Sequence, residues 1–265
     1  MDLGSIFLAE LVGTAVLVLL GCGVVANVVL KDTKGNGGGW LLINFGWGFA
    51  VFIGVLSSAA SGGHLNPAVT LGLAANTVVT GGSVDVAEVG LRIVAQLIGA
   101  ILGAVVVWLA YKLHFDDEPD AGSKLAVFAT GPAKRSLGWN TVTEIIATFV
   151  LVLAVIAFQN FPAFSMANTD STAPDMGSLG NLAPLAVAIV VVAIGASLGG
   201  PTGYAINPAR DLGPRLAHAF LPIKGKGGSD WSYSWVPIVG PIIGGVLAGL
   251  VGTAILPAAA SAFGA

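Results

Sequence analysis

GGHLNPAVT, residues 62–70, places Asn66 beside Pro67 just after a long apolar run. Asn followed by Pro is how a helix begins: the Asn side chain caps free backbone N–H groups, and Pro tolerates the first helical position. The helix started here is short, ending near Asn76 and Thr77. The same grammar returns in GYAINPARDLGPR, residues 203–215, where Asn207, Pro208 and Ala209 repeat Asn66, Pro67 and Ala68.

Both stretches sit in a chain built for lipid. Of its 265 residues 55% are hydrophobic and only 9% charged, against about 25% charged in a soluble domain, and the mean hydropathy is +0.88. This composition argues for an integral membrane protein. A net charge of −3 with no basic tail argues against a nucleic-acid partner. The single cysteine, Cys22, excludes an intrachain disulfide and reads as a small buried hydrophobe. No Cys/His metal spacing and no cofactor motif is present. The N-terminal MDLGSIFLAELVGT lacks the basic region of a signal peptide and reads as a retained first helix.

A spanning helix needs about 20 mostly apolar residues. Six segments qualify: roughly 5–29, 40–60, 84–111, 140–159, 181–200 and 232–256, most of them separated by KDTKGNGGG, HFDDEPDAGSK, NTDSTAPDMGS and KGKGGSD. The two Asn-Pro-Ala segments are too short to cross. AELVGTAVLVLL (9–20) aligns with TEIIATFVLVLA (143–154), pairing Glu10 with Glu144, 134 positions on (144 − 10); Asn66 and Asn207 lie 141 apart (207 − 66). The expected organisation is one channel domain over 1–265, with repeat 1 over about 1–112, a connecting loop over about 113–139, and repeat 2 over about 140–265. Three spans per repeat is an odd number, so the second copy enters the membrane inverted, which in transport proteins places the site near the midplane. Counting basic residues puts the connections after helices 1, 3 and 5 in the cytoplasm.

If each Asn-Pro-Ala opens a half-helix from an opposite face, both N-termini meet near the bilayer centre. Irregular backbone is tolerated there only when it is buried in protein or lines a watery cavity. The preceding SGGHL and GGPTGYAI are Gly-rich, and their carbonyls supply a ladder of acceptors. Each helix start carries roughly half a positive charge, so two such ends oppose cations and protons, while the amides of Asn66 and Asn207 are donors to a passing oxygen.

SGGHLNPAVT and GYAINPARDLGPR resemble the signature motifs of the major intrinsic protein family, the aquaporins and aquaglyceroporins. RLAHAFLPIKG and SDWSYSWVPIVGPIIGG are similar to the glycerol uptake facilitators of Gram-positive bacteria. The resemblance covers essentially the whole chain. It implies an all-α membrane protein with six tilted transmembrane helices and two re-entrant half-helices in an inverted repeat, one pore per subunit and a homotetramer. It also implies both termini in the cytoplasm, opposite to the count of basic residues. The implied activity is passive passage of glycerol and some water across the cell membrane, and no cofactor is implied.

In that family four positions form the narrowest part of the pore. Arg210 follows NPA directly, counting back three from Asn207 gives Tyr204, and counting back twelve gives Gly195. Water-selective members usually carry His at this last position, so Gly widens the passage. The helix-2 position is Trp47 when matched through its flanking residues, with one residue deleted near SSAAS; a gapless count gives Gly46. Two aromatic faces would shelter the CH edge of a polyol, and Arg210 would donate to its hydroxyls from a planar fork. The backbone carbonyls of Gly62, Gly63, His64, Leu65, Gly203 and Ala205 would accept hydroxyl protons. Asp211 is a residue that glycerol-type members favour. Tyr204 departs from the more familiar Phe and Gly63 from the common Ala.

Glu10 and Glu144 are costly in a span, about 2.5–3.5 kcal/mol on an insertion scale. The resemblance makes them braces for the re-entrant backbone, with a proton relay as the other reading. His64 is expected to lend its carbonyl and pack its ring, a titrating gate being the alternative. Arg92 is expected to snorkel to the interface, Asp211 and Arg215 to pair locally, and DWSYSW (230–235) to form an interfacial aromatic belt. His114 and His218 carry no signal beyond their helix-end placement. A water-selective channel and an ion-coupled transporter are the rival functions; no catalytic constellation appears. Urea, dihydroxyacetone, lactic acid and metalloid hydroxides are further solutes that a filter of this width would pass.

Overall fold

The structure, a computed structural model, describes residues 2–159 and 182–256. Among these residues there is no strand. Ten α-helices follow in order: α1 (Leu3–Val29), α2 (Gly39–Leu56), α3 (Pro67–Val79), α4 (Val86–Ala110), α5 (Lys112–Asp117), α6 (Ala121–Phe128), α7 (Leu137–Gln159), α8 (Ala183–Leu198), α9 (Pro208–Phe220) and α10 (Val236–Ile255). Helices α1, α2, α4, α7 and α10 are long and apolar enough to cross a bilayer; α8 is apolar and has 16 residues. The connection NTDSTAPDMGS, Asn181 at the start of the span expected over 181–200, and residues 257–265 lie outside the described residues.

Apolar side chains cover the outside as well as the inside. Leu41, Phe49, Leu109 and Ile189 are exposed on long helices, the pattern of a chain whose solvent is lipid. Between the helices, small residues allow close approach. Helix α1 packs on α4 as α7 packs on α10, α3 lies against α10 as α9 lies against α4, and α2 meets α8. At the first two contacts, a Cβ on Gly99 would fall 2.3 Å from the carbonyl oxygen of Leu11, and a Cβ on Gly244 would fall 2.2 Å from that of Ile145. Leu11 and Ile145 are themselves 134 positions apart (145 − 11), the spacing already seen between Glu10 and Glu144.

The connection expected over 113–139 carries two short helices and yields its last three residues to α7. Asp120 caps α6 by accepting from the N–H groups of Gly122 and Ser123, and Phe128 is buried in a stack with Phe115 of α5, ring centroids 5.4 Å apart. The 230–235 stretch is only partly a belt. Trp231 and Trp235 are exposed, but Tyr233 is fully buried beneath the guanidinium of Arg135, 5.4 Å from its ring centroid. Nearby, burial pulls the carboxyl of Asp230 upward, but hydrogen bonds from Arg135 and Ser232 outweigh that and hold it below the ordinary aspartate value.

Gly244→Val is expected to lower the stability of the purified protein by about 1–3 kcal/mol, the usual cost of overpacking, read as a lower thermal midpoint in detergent. Gly23→Ala, where a Cβ meets nothing within 4 Å, is expected to leave the midpoint unchanged.

Candidate functional site

Asn66 and Asn207 are the N-caps of α3 and α9, each with Pro at the first helical position. Asn66 Oδ1 accepts from the N–H of Ala68 at 2.8 Å, and Asn207 Oδ1 accepts from the N–H groups of Ala209 and Arg210 at 3.0 and 3.2 Å. Each amide nitrogen then crosses to the other half of the chain. Asn66 Nδ2 donates to the carbonyl of Ile206 at 2.8 Å, and Asn207 Nδ2 donates to that of Leu65 at 2.9 Å. The two helix starts therefore face each other, tip to tip, with one N–H of each amide left over among the described residues. Pro67, Ala68, Pro208 and Ala209 are buried in the first turns behind the caps. Helix α3 continues to Val79, two residues past the expected end.

The backbone leading into each tip is strained in the same way. Gly62, Gly63 and Leu65 have positive φ, as do Gly203, Tyr204 and Ile206 at φ of 80°, 37° and 43°. A buried carboxylate holds each stretch. Glu10 accepts from the N–H groups of His64 and Leu65 at 3.0 and 2.8 Å; Glu144 accepts from those of Ala205 and Ile206 at 3.0 and 2.8 Å. Hydrogen bonds to a charged group contribute about 1.5–3 kcal/mol each, enough to offset strained backbone costing about 1–3 kcal/mol per residue. In a trans peptide the N–H and the preceding C=O point opposite ways. With those N–H groups turned to the carboxylates, the carbonyls of Gly63, His64, Tyr204 and Ala205 turn away from them.

They turn toward a cavity of about 450 Å³ lined by Gly62, Gly63, His64, Leu65, Asn66, Tyr204, Ala205, Ile206, Asn207 and Arg210 on its polar side. Apolar residues, among them Val51, Val55, Val69, Leu151, Val187 and Val191, complete the lining. Trp47 lines it too. The Arg210 guanidinium lies over the Trp47 ring, 3.8 Å from its centroid, and donates to no acceptor among the described residues. Gly46 faces the other way, toward Val24 of α1. Gly203 is not in the lining and lies against Thr130; Gly195 is also set back, and its missing side chain leaves room for the ring of Tyr204.

Some residues sit otherwise than their sequence suggests. Arg92 does not snorkel. Its side chain is 7% exposed and pairs with Glu10 at 2.9 Å and with Glu88 at 2.8 Å, while also donating to the carbonyl of Ser61. A carboxylate buried at Glu10 draws the guanidinium inward, because an unpaired buried charge costs far more than the reach to the interface saves. Gln96, one turn further along α4, donates to Glu10 at 2.8 Å. Asp211 and Arg215 do pair locally, as expected: Asp211 is fully buried, bonded to Arg215 at 2.8 Å, and accepts from the N–H and hydroxyl of Thr130. His218, at a helix end, is fully buried and bonded to Ser229. His64 Nδ1 shares a hydrogen bond with Thr70 at 3.1 Å. The Glu88–Arg92–Gln96 spacing, one helical face of α4, was the available signal for the missed partners of Glu10.

A cavity lined by two capped helix tips, by the irregular backbone that leads into them and by apolar helix residues belongs to a membrane channel of the kind built from spanning helices and paired half-helices. Residues 2–252 match the model of the Major intrinsic protein family, and the chain belongs to that family: a multi-pass membrane channel with the aquaporin fold, not an enzyme. It is similar to the probable glycerol uptake facilitator protein of Thermotoga maritima, 52% identical over 92% of this chain and 96% of that one. It is 46% identical to the glycerol uptake facilitator protein of Bacillus subtilis over 92% of this chain and 82% of that one. Among solved structures it resembles the aquaglyceroporin from Plasmodium falciparum, with a TM-score of 0.78, 30% identity, and 97% and 98% of the two chains covered.

Arg92→Met is expected to destabilise the protein by about 3–5 kcal/mol, since it strands a buried carboxylate. Adding Glu10→Gln is expected to recover part of that loss; thermal unfolding in detergent reads both.

Proposed function

We propose that the chain is a passive channel for glycerol and other small neutral solutes, with some water. The observation that carries this reading is the mixed lining: the backbone and amides of the two re-entrant stretches meet valines and leucines of the surrounding helices in one cavity. A polyol has hydroxyls along one edge and CH groups along the other, and a lining of this kind exchanges its hydration group by group without holding it tightly. Trp47, Tyr204, Arg210 and, behind Tyr204, Gly195 form the selectivity filter in this reading. Arg210, stacked on Trp47 with its donors unspent, offers hydrogen bonds to hydroxyls; the spare N–H groups of Asn66 and Asn207 offer two more at the tips. The facing N-termini of α3 and α9 repel cations and protons.

Glu10 and Glu144 act as braces in this reading, since their oxygens are spent on backbone N–H groups. The carbonyls of Gly62, Gly63, His64 and Ala205 belong to the acceptor ladder, that of Leu65 being taken up by Asn207, and Tyr204 takes the place first given to Gly203. Asp211 acts as a subfamily marker by anchoring the segment around Thr130 rather than by touching solute. The matched contacts of α1–α4 with α7–α10 support two inverted repeats, about 1–112 and 140–265, within one channel domain. The functional form is a homotetramer in the cell membrane with both termini cytoplasmic, and urea, dihydroxyacetone and undissociated lactic acid are further permeants.

The test is stopped-flow light scattering on reconstituted vesicles. Glycerol permeability well above that of empty vesicles, unchanged by proton or sodium gradients, is expected; a gradient requirement would make the protein a coupled transporter. Gly195→Ala puts a methyl 2.5 Å from the Asn44 carboxamide and 2.7 Å from Tyr204 Cζ and drives the ring toward the lumen. The glycerol barrier is expected to rise by about 1–3 kcal/mol, with a smaller change for water.

A further inference from the structure

The ring of Tyr204 occupies a slot that four other residues make. Gly195 on α8 and Gly199, about one turn on at its C-cap, each lack the side chain that would fill it. A Cβ on Gly195 would fall 2.7 Å from Tyr204 Cζ, and one on Gly199 would fall 2.6 Å from Tyr204 Cδ1. Trp40 closes the back, edge-on to the tyrosine at 5.7 Å between centroids, and its indole N–H donates to the carbonyl of Gly195 at 2.9 Å. Asn44, 1% exposed on α2, completes the slot. With its carboxamide turned to suit its neighbours, its nitrogen donates to the Tyr204 hydroxyl at 3.2 Å and its oxygen accepts from Ala196 N–H at 3.3 Å. Asn44 does not line the cavity, whereas Tyr204 does. The phenol is thus anchored by its far end, in the seam between α2 and α8, and shows the lumen its ring.

We propose that Asn44 is a positioning residue for the constriction: it holds the Tyr204 hydroxyl out of the lumen, so that a tyrosine here leaves an apolar surface for the CH edge of a polyol. The inference rests on the glycerol-channel reading and explains how that reading tolerates Tyr. A buried hydroxyl stripped of its partner is costly. Without the Asn44 amide, the phenol has reason to leave the slot for water and Arg210, across the path of the solute.

The experiment compares glycerol and water permeability in vesicles for the parent, Asn44→Leu, Tyr204→Phe and the double variant. Asn44→Leu is expected to lower the glycerol-to-water ratio about fivefold or more, as a penalty of about 1 kcal/mol implies, while water conduction shows that the channel is folded. On the Tyr204→Phe background, which removes the hydroxyl, the same Asn44→Leu change is expected to leave the ratio where Tyr204→Phe alone sets it. A ratio untouched by Asn44→Leu, or an equal fall on both backgrounds, overturns the proposal. Should Asn44→Leu alone fail to insert, the comparison on the Tyr204→Phe background decides. A parent that conducts water but no glycerol overturns the channel reading itself, and this inference with it; a glycerol-conducting parent leaves the two separable.

Discussion

Asn66 donates to the carbonyl of Ile206, Asn207 donates to the carbonyl of Leu65, and these crossed bonds tie together the tips of two helices that come from different halves of the chain. Much else follows from that clasp. It fixes the separation of the two helix starts, and with it the place where their partial positive charges add. It consumes the two carbonyls at the ends of the strained stretches, leaving those further back to line the cavity. It also spends one N–H of each amide, so what a solute meets is a single donor on each side.

The clasp survives because the backbone on either side is held from behind, and the two halves do this differently. Glu10 has a charged partner in Arg92 and an amide partner in Gln96. Gly99 and Gly244 make the same close contact on α1 and α7, so counting back from them sets Gln96 against Pro241 and Arg92 against Pro237. Proline offers no donor. Among the described residues no basic side chain pairs with Glu144, and its backbone hydrogen bonds carry the burden of a buried carboxylate. The half whose bracing carboxylate has no cation beside it is also the half that carries the filter tyrosine, and its buried ion pair, Asp211 with Arg215, lies on the half-helix α9 itself.

Much of this could be read from residues alone. Asn-Pro-Ala twice over, at matching places in two similar halves, gave away the half-helices, because capping chemistry and the fixed φ of proline act locally. Glu10 and Glu144 stood out because a carboxylate in an apolar run demands a partner. The partner did not stand out. Arg92 at the edge of a span looks like any snorkelling arginine until α1 and α4 are brought together; its spacing from Glu88 and Gln96 marks a polar face of α4 without naming what that face meets. Short helices α5 and α6 passed for loop, although Asp120 ahead of Ser123 is a capping signal. Asn44 was invisible for another reason: Trp40, Asn44 and Trp47 fall on one face of α2, but an amide among aromatics reads as a chance polar residue until the tyrosine from another segment arrives. Gly195 was legible as a small residue at a critical place, yet its physical effect is to seat Tyr204.

The crossed amide bonds are open to direct measurement. In bilayer-reconstituted protein carrying 15N in asparagine side chains and 13C in leucine and isoleucine carbonyls, solid-state dipolar couplings report whether Asn66 Nδ2 and Asn207 Nδ2 lie within bonding distance of Ile206 and Leu65. Couplings matching nitrogen-to-oxygen distances of 2.8 and 2.9 Å, lost selectively in Asn66→Ala and Asn207→Ala samples, are the predicted result. Asparagine side chains that couple to neither carbonyl, in protein that still conducts, would contradict the account.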